Sequence, residues 1–124
     1  MDERTKTLLG KSASDEAVLH FDKISPQIRA FHGQQAIEKL LKAWIAALGT
    51  EPPKLHSLTK LAGLIEDQGQ TLPPLPISPG EFNDYAAEWR YDDVAEESSL
   101  DDAEMRETVR ILREHITAAI AELS

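Results

Sequence analysis

Residues 26–48 constrain the fold of this chain more than any other stretch. Ser25-Pro26 places an N-cap hydroxyl before a proline at the first helical position, where a missing N–H costs nothing. Gly49, followed by Pro52-Pro53, stops the helix, because glycine accepts a left-handed C′ residue and proline cannot continue. Between these marks Gly33, Ile37, Leu40, Leu41, Trp44 and Leu48 fall within a sector about 100° wide on a helical projection. A rod with this stripe must bury it against other elements. On the opposite side His32, Gln35, Lys39 and Lys42 form a continuous polar ridge at i, i+3, i+7 and i+10. Phe31 and Ile45 flank the ridge with Glu38 between them, so a second surface, another helix or a partner subunit, is expected to cover them.

Further helices follow from the same punctuation. Ser57 opens a short one that ends near Asp67, with Gly69 beyond it. Ser78-Pro79-Gly80-Glu81 gives a cap, an N1 proline and an N3 glutamate before the aromatic stretch Phe82 to Tyr91. Ser99-Leu100-Asp101-Asp102 repeats the cap logic before a last helix over about 100–123, with acids in the first turn where the helix dipole favours them. That helix has an apolar stripe of Met105, Val109, Leu112, Ile116, Ala119, Ile120 and Leu123 and a separate face with Arg106, Arg110 and Arg113. An N-terminal helix should include Asp15 to Phe21, its start left open by Gly10. Residues 68–80, with Pro73, Pro74, Pro76 and Pro79, read as an extended linker between helices. The PxxP spacing there also suits a proline-rich ligand, but it is common by chance. No strand alternation or internal repeat stands out.

At 124 residues one domain, 1–124, is expected, with a core large enough to need no staples. The lack of cysteine excludes disulfides, thiolate metal sites and cysteine nucleophiles. His20, His32, His56 and His115 lack close metal-ligand spacing, so no metal or cofactor is expected. No P-loop, Rossmann glycine pattern or serine elbow is present. No apolar run suits a membrane span or signal peptide, which places the protein in the cytoplasm with no membrane partner. The net charge of −9 is carried entirely by residues 81–124, with thirteen acids against four arginines, while residues 23–60 carry six bases against two acids. A nucleotide or RNA would therefore be held in a local pocket in the middle of the chain, not gathered by a global field.

The run Phe31-His32-Gly33-Gln34-Gln35-Ala36-Ile37-Glu38-Lys39-Leu40-Leu41-Lys42-Ala43, followed by Pro53-Lys54-Leu55-His56-Ser57-Leu58, resembles the HEPN domain family (higher eukaryotes and prokaryotes nucleotide-binding). The family pattern is F-x-x-Q-Q-A-x-E-K-x-L-K-A and then P-x-x-H-x-L. Trp89-Arg90-Tyr91 is similar to its A-R-Y-P segment, although Asp92-Asp93 stand here in place of the proline. The likeness runs over about residues 12–122. It implies an all-α, up-and-down bundle of four to five helices that forms a homodimer.

The resemblance also implies three roles. Many members partner a separately encoded nucleotidyltransferase, often in toxin–antitoxin pairs. Others are metal-independent ribonucleases using an R-x(4–6)-H motif. A nucleotide-binding role gives the family its name. For a ligand, the residues singled out are His32, Gln35, Lys39 and Lys42 on the ridge, His56 beside the Ser57 cap near Lys54, and Arg90. Gln35, Lys39 and His56 read equally as packing contacts, His56 through a bond to the second helix or to a backbone carbonyl. For catalysis the literal match is Arg110-Ile-Leu-Arg-Glu-His115, where histidine would move a proton and arginine hold phosphate charge. On a regular helix, however, these two side chains lie about 140° apart. The reading is therefore a binding protein that partners a nucleotidyltransferase and takes nucleotide or RNA as a ligand. An endoribonuclease toxin and a ligand-free interaction module are the alternatives.

Overall fold

The computed structural model describes residues 1–85 and 100–123. Within them lie helices α1 (Glu3–Val18), α2 (Pro26–Ala47), α3 (Leu58–Asp67) and α4 (Asp102–Glu122), with a 3-10 helix over Pro79–Tyr85 between α3 and α4. No strand occurs among the described residues, and the all-α class expected from the sequence stands.

Each cap does what its side chain allows. Asp2 accepts from the Thr5 N–H, Ser25 from Ile28, Ser57 from Lys60 and Asp101 from Glu104, satisfying N–H groups that have no partner within their helices. The Glu81 carboxylate reaches back to the Ser78 N–H at 3.0 Å, the return half of a capping box. Two expectations shift. α1 ends at Val18, so Phe21 lies beyond it, 59% exposed in the turn to α2. The last helix starts two residues late because Asp101 is its cap.

α2 is the central rod. Gly33, Ile37, Leu40, Leu41 and Trp44 from the expected stripe are buried, and so are Ala30, Ala36, Ala43 and Ile45 on its other sides. Ile45 is thus covered within this chain. Leu58, Leu61 and Ile65 of α3, Phe82 of the 3-10 helix, and Met105, Val109, Leu112 and Ile116 of α4 complete the core. Burying each such side chain stabilises the fold by roughly 1.5–3 kcal/mol before chain entropy is counted.

Contacts fix how the rods run. Arg4 near the start of α1 pairs with Glu51 beyond the end of α2, while Asp15 near the end of α1 meets His32 near the start of α2, so the two are antiparallel. Arg29 joins the start of α2 to Asp102 at the start of α4 at 3.0 Å, and the Trp44 and His115 rings meet further along, so α4 runs in the direction of α2. Gly33 permits the close approach there: a Cβ at this position would sit 2.9 Å from Sδ of Met105 and 3.4 Å from Phe82. The 48–57 segment turns back along α2, so α3 starts beside Gln34, whose side-chain amide donates to the His56 carbonyl at 3.1 Å. The proline linker then crosses α4 with Ile77 buried, its N–H donating to the Thr108 hydroxyl at 3.2 Å.

Candidate functional site

The polar ridge of α2 does not face open water. It is split between two nearly buried carboxylates, one on α1 and one on α2 itself. Asp15 of α1 accepts from the Lys39 ammonium and lies 2.8 Å from Nδ1 of His32. Glu38, 5% exposed, accepts from Lys42 at 3.0 Å and from the Gln34 amide at 3.0 Å, and Nδ1 of His56 lies 3.1 Å from Oε1 and 3.2 Å from Oε2. Gln35 donates to the Gln34 carbonyl oxygen at 2.7 Å, extending this network along the helix. The result is two His–carboxylate–Lys clusters set along one rod.

Helix geometry explains the arrangement. Gln34, Glu38 and Lys42 are spaced by four residues, which places their side chains one above another on a single face. His32 and Lys39, seven apart, share the neighbouring face and straddle Asp15 from across the α1–α2 contact. α1 turns an unusually polar edge inward, with Thr5, Ser12 and Asp15 buried, and Ser12 donates to the Ala36 carbonyl at 2.9 Å.

Electrostatics fixes the charge of the second cluster. Burial pushes the Glu38 carboxyl up, but hydrogen bonds from Gln34, Lys42 and His56 outweigh it and hold the group below the ordinary carboxylate value. Glu38 is therefore ionised at neutral pH. With Nδ1 of His56 on that carboxylate, the ring turns Nε2 away from it, and the side chain is 68% exposed. Beside this cluster an open groove of about 450 Å³ runs between α1 and the 51–54 segment, lined by Thr7, Leu8, Lys42, Pro52, Pro53 and Lys54 among others.

Five of the six ligand residues singled out in the sequence, His32, Gln35, Lys39, Lys42 and His56, are thus brought together along α2. Arg90 lies outside the described residues, as do Trp89 and Tyr91. His56 is an exposed ring anchored to α2 through Glu38. Arg110 and His115 are not brought together. The Arg110 guanidinium is held between Glu107 and Glu114, whose hydrogen bonds push it further up. Nε2 of His115 lies 3.1 Å from the Thr71 carbonyl, and its ring meets Trp44 edge-on at 5.5 Å. Asp15 and Glu38, which organise the whole face, were not singled out from the sequence. The signal for Glu38 was its four-residue spacing to both Gln34 and Lys42 inside an otherwise apolar rod; Asp15 had none.

Among the described residues no three His, Asp or Glu side chains gather to hold a metal ion, and no helix is long and apolar enough to cross a membrane. Comparison with family models matches residues 10–121 to the HEPN domain. Neither a curated protein nor a solved structure matches the chain.

Proposed function

The chain belongs to the HEPN domain family, and from that premise we propose that it is a non-catalytic binding protein: a homodimer that partners a separately encoded nucleotidyltransferase in a toxin–antitoxin pair and takes a nucleotide or RNA phosphate on the polar face of α2. The observation that supports binding over catalysis is the engagement of Arg110 and His115. A metal-free ribonuclease needs an imidazole free to move a proton and a cation free to meet developing phosphate charge. Here Arg110 is spent on Glu107 and Glu114, and His115 is turned to the Thr71 carbonyl. The ridge residues are themselves paired, His32 and Lys39 with Asp15 and Lys42 with Glu38, but together with His56 they gather along one rod.

The test has three arms. Single-stranded RNA is incubated without metal with wild type and His115→Ala; equal background cleavage supports the binding reading, and cleavage lost in the variant replaces it with the endoribonuclease. Co-expression with a nucleotidyltransferase, if a neighbouring gene encodes one, followed by size-exclusion chromatography, reads the partnership. A chain that elutes alone beside a folded nucleotidyltransferase overturns that half, leaving a module with some other partner. Titration of Lys39→Ala and Lys42→Ala with nucleotide reads the ligand face.

A further inference from the structure

Phe31 and Ile45 flank the ridge of α2, and the sequence expects a second surface to cover both. Ile45 is covered inside the chain, whereas Phe31 is half-buried. It is one of four large apolar side chains at the corner where α1 gives way to α2, the others being Phe21, Ile24 and Ile28. Ile24 and Ile28 are half-buried too, Phe21 is 59% exposed, and none of the four belongs to the core or packs against it. Ile28 and Phe31, three residues apart, share a face of α2. The Arg29 guanidinium donates to the Phe21 carbonyl at 2.7 Å, which ties the turn to the opening turns of the helix. Apolar surface gathered in this way marks a place where another molecule sits. Between Phe21 and Ile24 stand Asp22 and Lys23, both exposed, and among the described residues neither has an ion-pair partner. The neighbouring charges are already taken, Arg29 by Asp102 and His32 by Asp15.

We propose that this corner is the face through which two copies of the chain associate about a two-fold axis, with Asp22 of each copy against Lys23 of the other. Charge selects the partner. A face that carries one unpaired acid beside one unpaired base is complementary to itself, and a two-fold axis that brings Asp22 to Lys23 brings Lys23 to Asp22 as well. A uniformly basic or acidic partner would satisfy one of them and be repelled by the other. The spread of charge along the chain agrees. Residues 1–80 hold nine acids and nine bases, whereas residues 81–124 hold thirteen acids against four arginines. Two copies therefore meet with least repulsion through the neutral part, where the corner lies. A stable interface buries about 800 Å² on each side, so the four apolar side chains form its dry centre and Asp22 and Lys23 belong to a polar rim. The inference rests on the homodimer proposed above and gives it a surface.

The experiment is analytical ultracentrifugation of the full chain over a wide concentration range, with helical circular dichroism as the check on folding. Wild type sediments as a dimer that dissociates on dilution. Phe21→Ser raises the dissociation constant about a hundredfold and leaves the helical signal unchanged, because the ring lies outside the core. Asp22→Lys and Lys23→Asp each set like charges against one another at two symmetric points and raise it about tenfold. The double variant, which exchanges the pair, returns to within about threefold of wild type. A wild-type dimer unmoved by Phe21→Ser and by both single reversals overturns the surface but leaves the homodimer standing. Single reversals that weaken association with no recovery in the double variant overturn the proposal, since the acid and the base then do not meet. A wild type that stays monomeric at near-millimolar concentration overturns the surface and the homodimer together. A monomer whose complex with a nucleotidyltransferase is lost in Phe21→Ser overturns it too, and assigns the corner to that protein.

Discussion

Nδ1 of His56 sits 3.1 Å from one oxygen of the Glu38 carboxylate and 3.2 Å from the other, so one buried acid on α2 anchors the segment that leads into α3. Replacing it by Glu38→Gln keeps the shape but removes the charge that Lys42 and His56 face. The expected loss is about 2 kcal/mol at neutral pH. Its pH dependence has a definite sign. The folded pKa of Glu38 lies below the ordinary 4.5, so its contribution is complete above that value and is lost as pH falls through the folded one. Urea unfolding of both proteins at pH 7, 5 and 3 should show a gap that holds to pH 5 and narrows by pH 3. A gap of constant size down to pH 3 would contradict an ionised Glu38.

Gly33 separates two kinds of substitution. A Cβ would meet Sδ of Met105 at 2.9 Å and Cγ at 3.2 Å, both in a flexible side chain that can swing aside. Alanine also has a helix propensity better by about 1 kcal/mol. These effects nearly cancel, so Gly33→Ala should change stability by less than about 1 kcal/mol. Gly33→Leu must displace Phe82 as well, and should cost more than about 2 kcal/mol. Chemical denaturation of the pair checks the ranking, and equal losses would mean that the α2–α4 contact is looser than these distances imply.

Helix ends were legible where one residue type does one job. Ser25-Pro26 and Ser57 open α2 and α3 as expected, and Gly49 and Gly69 follow their ends with φ of +93° and +84°. The core stripe of α2 was equally plain, because periodicity reports burial directly when the buried groups are apolar. The same rule left the start of α1 open, although an N-terminal helix was expected. Its buried residues are Thr5, Ser12 and Asp15, and a helix that buries hydroxyls and a carboxylate shows no greasy stripe. The ridge of α2 was found, but what lies opposite was not, since a lysine that meets a buried acid and one that meets water look alike until the partner helix is placed. Both organising acids of the candidate site were therefore missed.

The polar contact between α1 and α2 should be weak to local substitution and sensitive to charge. Ser12→Ala leaves the Ala36 carbonyl without its extra donor, but that oxygen keeps its place in the helix ladder, so the loss should be about 1 kcal/mol. Asp15→Ala strips both Lys39 and His32 of their carboxylate in a mostly buried place, and about 3 kcal/mol is expected. Hydrogen exchange adds the location: amides of α1 should lose protection in Asp15→Ala well before those of α2, which is held by α3 and α4 as well. Uniform loss across all helices would mean that α1 does not open separately.

Arg110 and His115 offer a last contrast, because stability and activity predict opposite rankings for them. The Arg110 pairs with Glu107 and Glu114 lie on the outer surface of α4 and are screened by water, so Arg110→Ala should leave the melting temperature unchanged within error. His115 ties α4 to the linker through the Thr71 carbonyl and packs against the buried Trp44 ring, so His115→Ala should lose about 1 kcal/mol. If the two residues served one reaction, both substitutions would remove the same activity whatever they did to stability. If they are structural, only the histidine variant melts earlier and neither changes RNA turnover. Melting curves and metal-free cleavage rates measured on the same two preparations separate these outcomes: a thermally silent Arg110→Ala that abolishes cleavage would show that Arg110 leaves its glutamates to meet substrate.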